Sequence, residues 1–220
     1  MTQQLKFGRR AALSGKTRHM VVLLHGYGAD GADLLGLADP LGPYLPDAVF
    51  YAPDAPYPCA QNPSGRQWFG IPRFDGSGIA QAMAGLDAAA AAVNDFLDER
   101  LAHHGLSAKS LILLGFSQGA MTALHAAPRR DAPIAGVVAI SGRLIAPDRL
   151  IAETTARPPV LLMHGDRDDV VDFAEMAAAG TALMAAGFDT YSHVMKGSGH
   201  GIAPDGLQVA LRFTKDHLIA

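Results

Sequence analysis

The chain is expected to fold as an α/β protein, with a mainly parallel central sheet and helices on both faces. Three observations carry that expectation. Short apolar, β-branched runs, such as Met20–Leu24 and Val160–Met163, read as strands buried on both faces. Segments with apolar residues at spacings of three and four alternate with them, without repeats or linkers. Turn-rich loops follow Leu24, Leu114, Met163 and Met195. In a parallel sheet such strand ends share one edge, where ligands bind.

In chain order, Lys6-Phe7 belongs to a short first strand, and Met20–Leu24 is a central one. The loop His25-Gly26-Tyr27-Gly28-Ala29-Asp30-Gly31 follows, then a short helix over 33–38 closed by Pro40 and a strand over 48–52. From Pro53 to Gly78 there are five prolines and no periodic apolar pattern. A long irregular loop in a compact domain is typically a lid or binding loop, so Trp68 and Phe69 are expected to face substrate. The bland alternative makes them plugs at the core edge.

Ser77 is placed as N-cap of a long helix whose stripe runs Ile79, Met83, Leu86, Ala90, Val93, Leu97 and Leu101, closed by Gly105. The alanines at 88–92 let that helix pack closely. Strands are expected at 111–114, 134–140, 160–163 and 191–195, and helices at 120–127, at 173–186 and after Pro204. One domain over 1–220, with the 53–78 loop over the site, is the expected organisation.

Composition narrows the function classes. Hydrophobic residues make up 49%, charged residues 18%, and the net charge is −3, so no basic field invites nucleic acid. Cys59 is the single cysteine, which excludes an internal disulfide and a cysteine-based metal site and suits a reducing cytoplasm. No HExxH or H-x-x-x-H spacing suggests zinc. Arg9-Arg10 lacks the apolar run of an export signal, and no segment is apolar enough to span a membrane. His125 and His164 are read as packing or hydrogen-bonding residues.

The chemistry sits at the loops. Gly115-Phe116-Ser117-Gln118-Gly119 falls between a strand and a helix, the context in which G-x-S-x-G forms a nucleophile elbow. The glycines avoid collisions with the neighbouring strand and helix, and the Gln118 N–H at the helix's positive end is aimed at the serine. A hydroxyl needs a base, and imidazole serves best near neutral pH. His200 lies in a turn-rich loop late in the chain, and Asp166, Asp168 and Asp169 compete to hold it. Ser, then acid, then His is the order of one of the three unrelated serine-hydrolase arrangements.

Four motifs in order, LHGYGAD at 24–30, GFSQG at 115–119, HGDRDDVV at 164–171 and GSGHGI at 197–202, give the chain a resemblance to the phospholipase/carboxylesterase family of α/β hydrolases, which includes the acyl-protein thioesterases. The resemblance covers nearly the whole length and implies an α/β-hydrolase fold. The family pattern H-G-x-x-D-x-x-V assigns the acid to Asp168 and leaves Asp166 and Asp169 as loop residues. The family's oxyanion loop makes the Tyr27 N–H the partner of Gln118. The implied activity is a serine carboxylesterase working through an acyl-enzyme without cofactor or metal. Its expected partner is a small ester or thioester, with short or medium acyl or aryl esters favoured. Lysophospholipase and thioesterase activities are the alternatives.

A rival is spelled by Gly26-x-Gly28-x-x-Gly31, a dinucleotide-binding fingerprint between a strand and a helix, with Asp54 at about the required distance. It leaves Ser117, Asp168 and His200 unexplained, Asp54 follows Pro53 inside a Pro-rich loop, and the pattern starts with His25 instead of leading directly into a long helix. A binding scaffold that has lost catalysis would usually lack one of the three residues, and none is missing.

Overall fold

The computed structural model describes residues 4–218. Along the chain run β1 (Phe7–Arg10), β2 (His19–Leu24), α1 (Gly31–Leu35), α2 (Ala38–Leu41), β3 (Ala48–Pro53), β4 (Tyr57–Pro58), β5 (Arg66–Gln67), α3 (Pro72–Asp75) and α4 (Ile79–His104). Then come β6 (Leu111–Phe116), α5 (Gln118–Ala126), β7 (Gly136–Ile140), α6 (Pro147–Glu153), β8 (Val160–Gly165), α7 (Ala174–Ala185), β9 (Thr190–Met195) and α8 (Pro204–Leu218). Seven strands form one sheet in the order β1-β3-β2-β6-β7-β8-β9. Only β1 is antiparallel to its neighbour.

The buried runs explain the layering. Along β2, Met20, Val22 and Leu24 join a core cluster with Leu86, Val93, Leu124 and Leu183, on the side of α4, α5 and α7. Val21 and Leu23 point the other way, into a cluster with Leu34, Ala210 and Phe213 from α1 and α8. Both faces are therefore covered, and a strand buried on both sides reads as continuous apolar sequence instead of alternation. Because β2, β6, β7, β8 and β9 are parallel, their carboxyl ends meet at one edge, with Leu24 opposite Gly115, Phe116 opposite Ile140 and Gly165 opposite Met195.

Several expectations shift locally. The first short helix begins at Gly31, and Pro40 lies inside α2 instead of closing α1. Ser77 does not cap α4: the N-cap is Gly78 with no side-chain bond, and Ile79 is 78% exposed because the first turn runs past the core. Segment 53–78 is not wholly irregular. It holds the β4–β5 hairpin and α3, too short to leave a periodic signature. Helix α6, another short element, also escaped the pattern.

Candidate active site

Ser117 is the N-cap of α5 with φ 52° and ψ −117°, a left-handed conformation that a side chain rarely adopts. The surroundings enforce it. The Ser117 N–H donates to Ile140 O at 2.8 Å, anchoring the turn to β7. The flanking glycines have steric reasons: a Cβ on Gly119 would lie 2.0 Å from Leu24 O, and one on Gly115 would lie 2.4 Å from Gly119 O. Strand and helix can cross this closely only without side chains there.

His200 reaches the same edge from the loop after β9. Its Nε2 lies 3.0 Å from Ser117 Oγ and its Nδ1 2.8 Å from Asp168 Oδ2. A carboxylate only accepts, so Nδ1 donates to Asp168 and Nε2 is left to accept from the serine hydroxyl. The Phe116 ring packs on the imidazole at 4.9 Å between centroids. Gly165 at the end of β8 lets the histidine loop settle there, since a Cβ would meet Ser198 O at 2.3 Å.

The Asp168 side chain is shielded from solvent and held from three sides. The Val170 and Val171 N–H groups both donate to its Oδ1 at 2.9 Å, while Oδ2 takes the His200 bond. Burial works against the charge, but the His200 bond and the two backbone N–H groups outweigh it and hold the carboxyl below its usual range. The buried His164 lies 3.2 Å from the same Oδ2, its Nε2 also 2.9 Å from Val171 O, and this second histidine at the acid was not foreseen as part of the site. The rival aspartates sit elsewhere: Asp166 Oδ1 accepts from the Gly197 N–H at 2.6 Å, and Asp169 is exposed.

The two backbone donors expected for an oxyanion lie on the segments that follow β2 and β6, strands paired side by side at this edge. Gly26, the residue before Tyr27, lies against the serine, a Cβ there falling 3.4 Å from Ser117 Cβ. Gln118 opens α5 directly after Ser117. Among the described residues, neither N–H is used by a loop, turn or side-chain hydrogen bond. The Tyr27 phenol is buried beside Cys59, and burial first, then the Cys59 contact, pushes it up to about 12.

Trp68 and Phe69 require a correction. They are 0% and 5% exposed and belong to the core cluster with Leu24, Tyr51 and Leu86, so neither lines an open pocket. Gly85 of α4 makes room for Phe69, with a Cβ there coming 3.2 Å from Phe69 Cβ. Burial behind the site is the physical reason: the hairpin folds this segment over the edge of the core, which local sequence pattern cannot reveal. The dinucleotide fingerprint is likewise used internally. The Gly31 N–H donates to Asp54 Oδ1 at 2.9 Å, and a Cβ on Gly31 would lie 2.3 Å from Ala52 O. Asp54 thus serves the start of α1, and that glycine packs on β3. Among the described residues no cluster of three or more His, Cys, Asp or Glu is arranged to hold a metal ion.

His25 is buried beneath the loop, its Nδ1 2.8 Å from Gly26 O and its Nε2 accepting from the Ala55 N–H at 3.0 Å. That pattern requires a neutral ring protonated at Nδ1. Burial pulls its pKa below the ordinary value despite the Gly26 bond, and burial does the same to His125 despite its bond to Asp87. In the unfolded chain these rings take up protons near pH 6.5, so below that pH the unfolded state binds more protons. The melting temperature is therefore expected to fall on acidification from about pH 7 to about pH 5.5, above the range where the lowered carboxylates act. Calorimetry across that window checks it, and a level or rising melting temperature contradicts it.

Comparison with known proteins identifies the family. A family model described as Phospholipase/Carboxylesterase matches residues 11–218. The esterase YpfH of Escherichia coli (strain K12) is 30% identical, covering 91% of this chain and 82% of that protein. The crystal structure of esterase PE8 superposes with a TM-score of 0.93 at 41% identity, over 98% of this chain and 100% of that one. Acyl-protein thioesterase 1 of Debaryomyces hansenii is 24% identical over 99% of both chains. A full-length family match and esterase relatives at such identities place the chain in the phospholipase/carboxylesterase family, among the carboxylic-ester hydrolases of the α/β-hydrolase fold.

Proposed function

We propose that Ser117, His200 and Asp168 form the catalytic triad of a serine carboxylesterase, with the Tyr27 and Gln118 N–H groups as oxyanion hole. The observation that carries this reading is the unbroken chain from Ser117 Oγ through His200 to the buried Asp168, presented on a strained elbow. Ser117 Oγ attacks the ester carbonyl while His200 Nε2 takes its proton. Charge on the former carbonyl oxygen is met by the two backbone dipoles, which do not titrate and are already oriented. His200 then passes its proton to the leaving alcohol as the acyl-enzyme forms. Water, deprotonated by the same nitrogen, attacks that ester, and the proton returns to Ser117 as the acid leaves. No cofactor enters.

The substrate is a small carboxylic ester of short or medium acyl chain or an aryl ester. Of the large apolar side chains in the 53–78 segment, Trp68 and Phe69 are buried, Ile71 and Phe74 are partly exposed, with Phe74 packing on Tyr27 at 5.5 Å, and Tyr57 is exposed on the β4–β5 hairpin. That is little surface for a long chain. The single working unit comprises the sheet and the 53–78 segment beside it, and the free, buried Cys59 suits a cytoplasmic setting. No helix of the described residues is long and apolar enough to cross a membrane.

A p-nitrophenyl ester series tests the substrate class, with a palmitoyl thioester alongside. Butyrate is expected to exceed palmitate by about tenfold or more in kcat/KM, since each methylene that fails to fit forfeits its apolar contribution. Turnover should be undiminished in EDTA. A preference for the palmitoyl thioester would move the assignment to the thioesterase branch.

A further inference from the structure

The segment expected to touch substrate is stitched instead to both arms of the oxyanion hole. Trp68 Nε1–H donates to His25 O at 2.9 Å, two residues before Tyr27. On the other side of Tyr27, the Gly28 N–H donates to Arg66 O at 2.9 Å and the Arg66 N–H to Ala29 O at 2.8 Å. The Tyr27 peptide is therefore fastened before and after by one short stretch, 66–68. That stretch also grips the second arm. The Trp68 N–H donates to Gln118 Oε1 at 2.8 Å, and Gln118 Nε2 donates to Phe69 O at 2.8 Å. The buried Gln118 side chain, 1% exposed, spends its amide on this connection, while its backbone N–H belongs to the first residue of α5, directly after Ser117.

We propose that Trp68 is a positioning residue that sets the spacing of the two oxyanion donors, Tyr27 and Gln118. It bonds to one arm through its indole and to the other through its backbone, and its full burial against His25 leaves the spacer no freedom. Donors must sit within a few tenths of an ångström of the place where charge develops, because they act by preorganisation. Substrate in its ground state makes weaker demands on them. Loss of the indole bond is therefore felt in the transition state more than in substrate binding.

Because Trp68 is the single tryptophan of the chain, the bond can be removed alone. Replacing it with benzothienylalanine substitutes sulfur for N–H in a ring of nearly the same shape, and Trp68→Phe gives a genetic counterpart. Both are compared with the unmodified protein in kcat and KM for p-nitrophenyl butyrate, normalised to serines titrated by a fluorophosphonate. A trifluoromethyl ketone, whose adduct with a serine carries an oxyanion, reports the hole directly. In the benzothienyl protein kcat is expected to fall between about tenfold and about a hundredfold, with KM within about twofold. Ketone affinity should fall in proportion to kcat/KM. Unchanged kcat and ketone affinity, with only a lower melting temperature, would show that Trp68 merely fills space and overturn the proposal. The inference rests on the triad reading, which the unmodified protein tests first: absence of fluorophosphonate labelling at Ser117 removes that reading and the proposal with it.

Discussion

Replacing Ser117 with alanine is expected to reduce ester turnover by about four to six orders of magnitude. The loss follows from the geometry, because the Oγ that His200 Nε2 meets at 3.0 Å is the only atom removed. Stability should hardly change. The bonds that shape the elbow, Ser117 N–H to Ile140 O and Met121 N–H to Ser117 O, belong to the backbone and survive. The left-handed φ is shared by serine and alanine alike. Steady-state kinetics with a thermal melt on one preparation checks both halves, and near-normal turnover in the variant refutes the nucleophile assignment.

Asp168→Asn is expected to lower kcat by about four orders of magnitude, for a reason specific to this loop. The Val170 and Val171 N–H groups both point at Oδ1, so the asparagine must keep its oxygen there. Its NH2 group is then turned toward His200 Nδ1, where the wild-type Oδ2 accepts a bond. The imidazole is driven to carry its proton on Nε2, facing Ser117, and can no longer take one from the hydroxyl. Asp166→Asn retains an oxygen for the Gly197 N–H, and Asp169 is exposed, so both variants should stay within about tenfold of wild type in kcat. A larger loss at Asp166 or Asp169 than at Asp168 would move the acid to that residue.

Those two substitutions also mark what could be read without a structure. The strands were legible because a parallel sheet covered on both sides demands unbroken apolar runs, as in Val21 and Val22, which point to opposite cores. The elbow was legible because backbone crossing distances near 2 Å from a would-be Cβ allow only glycine at 115 and 119. Chain order, and the loops that end parallel strands, placed Ser117 and His200 on one edge. Among three neighbouring aspartates, local chemistry was silent, and Asp168 was singled out by the family pattern.

Short elements and long-range partners lay beyond such reading. Helix α6 and the β4–β5 hairpin are too brief for a period to show, and Ser77 resembled a cap although Gly78 takes that place. Trp68 illustrates the limit best. It lies in a stretch rich in proline and glycine without a periodic apolar pattern, which signals a loop, yet its bonds run to His25 and Gln118, 43 and 50 positions away. His164 is similar, a strand histidine whose place against Asp168 depends on how the β8 loop turns back. By itself the sequence determined the α/β class, the positions of the sheet's buried strands along the chain, and the serine and histidine brought to its edge, because steric and periodic constraints act between near neighbours. Which side chains support that site, and which merely resembled its walls, was decided by tertiary structure alone, since burial and hydrogen-bond pairing between distant segments leave no local period to read.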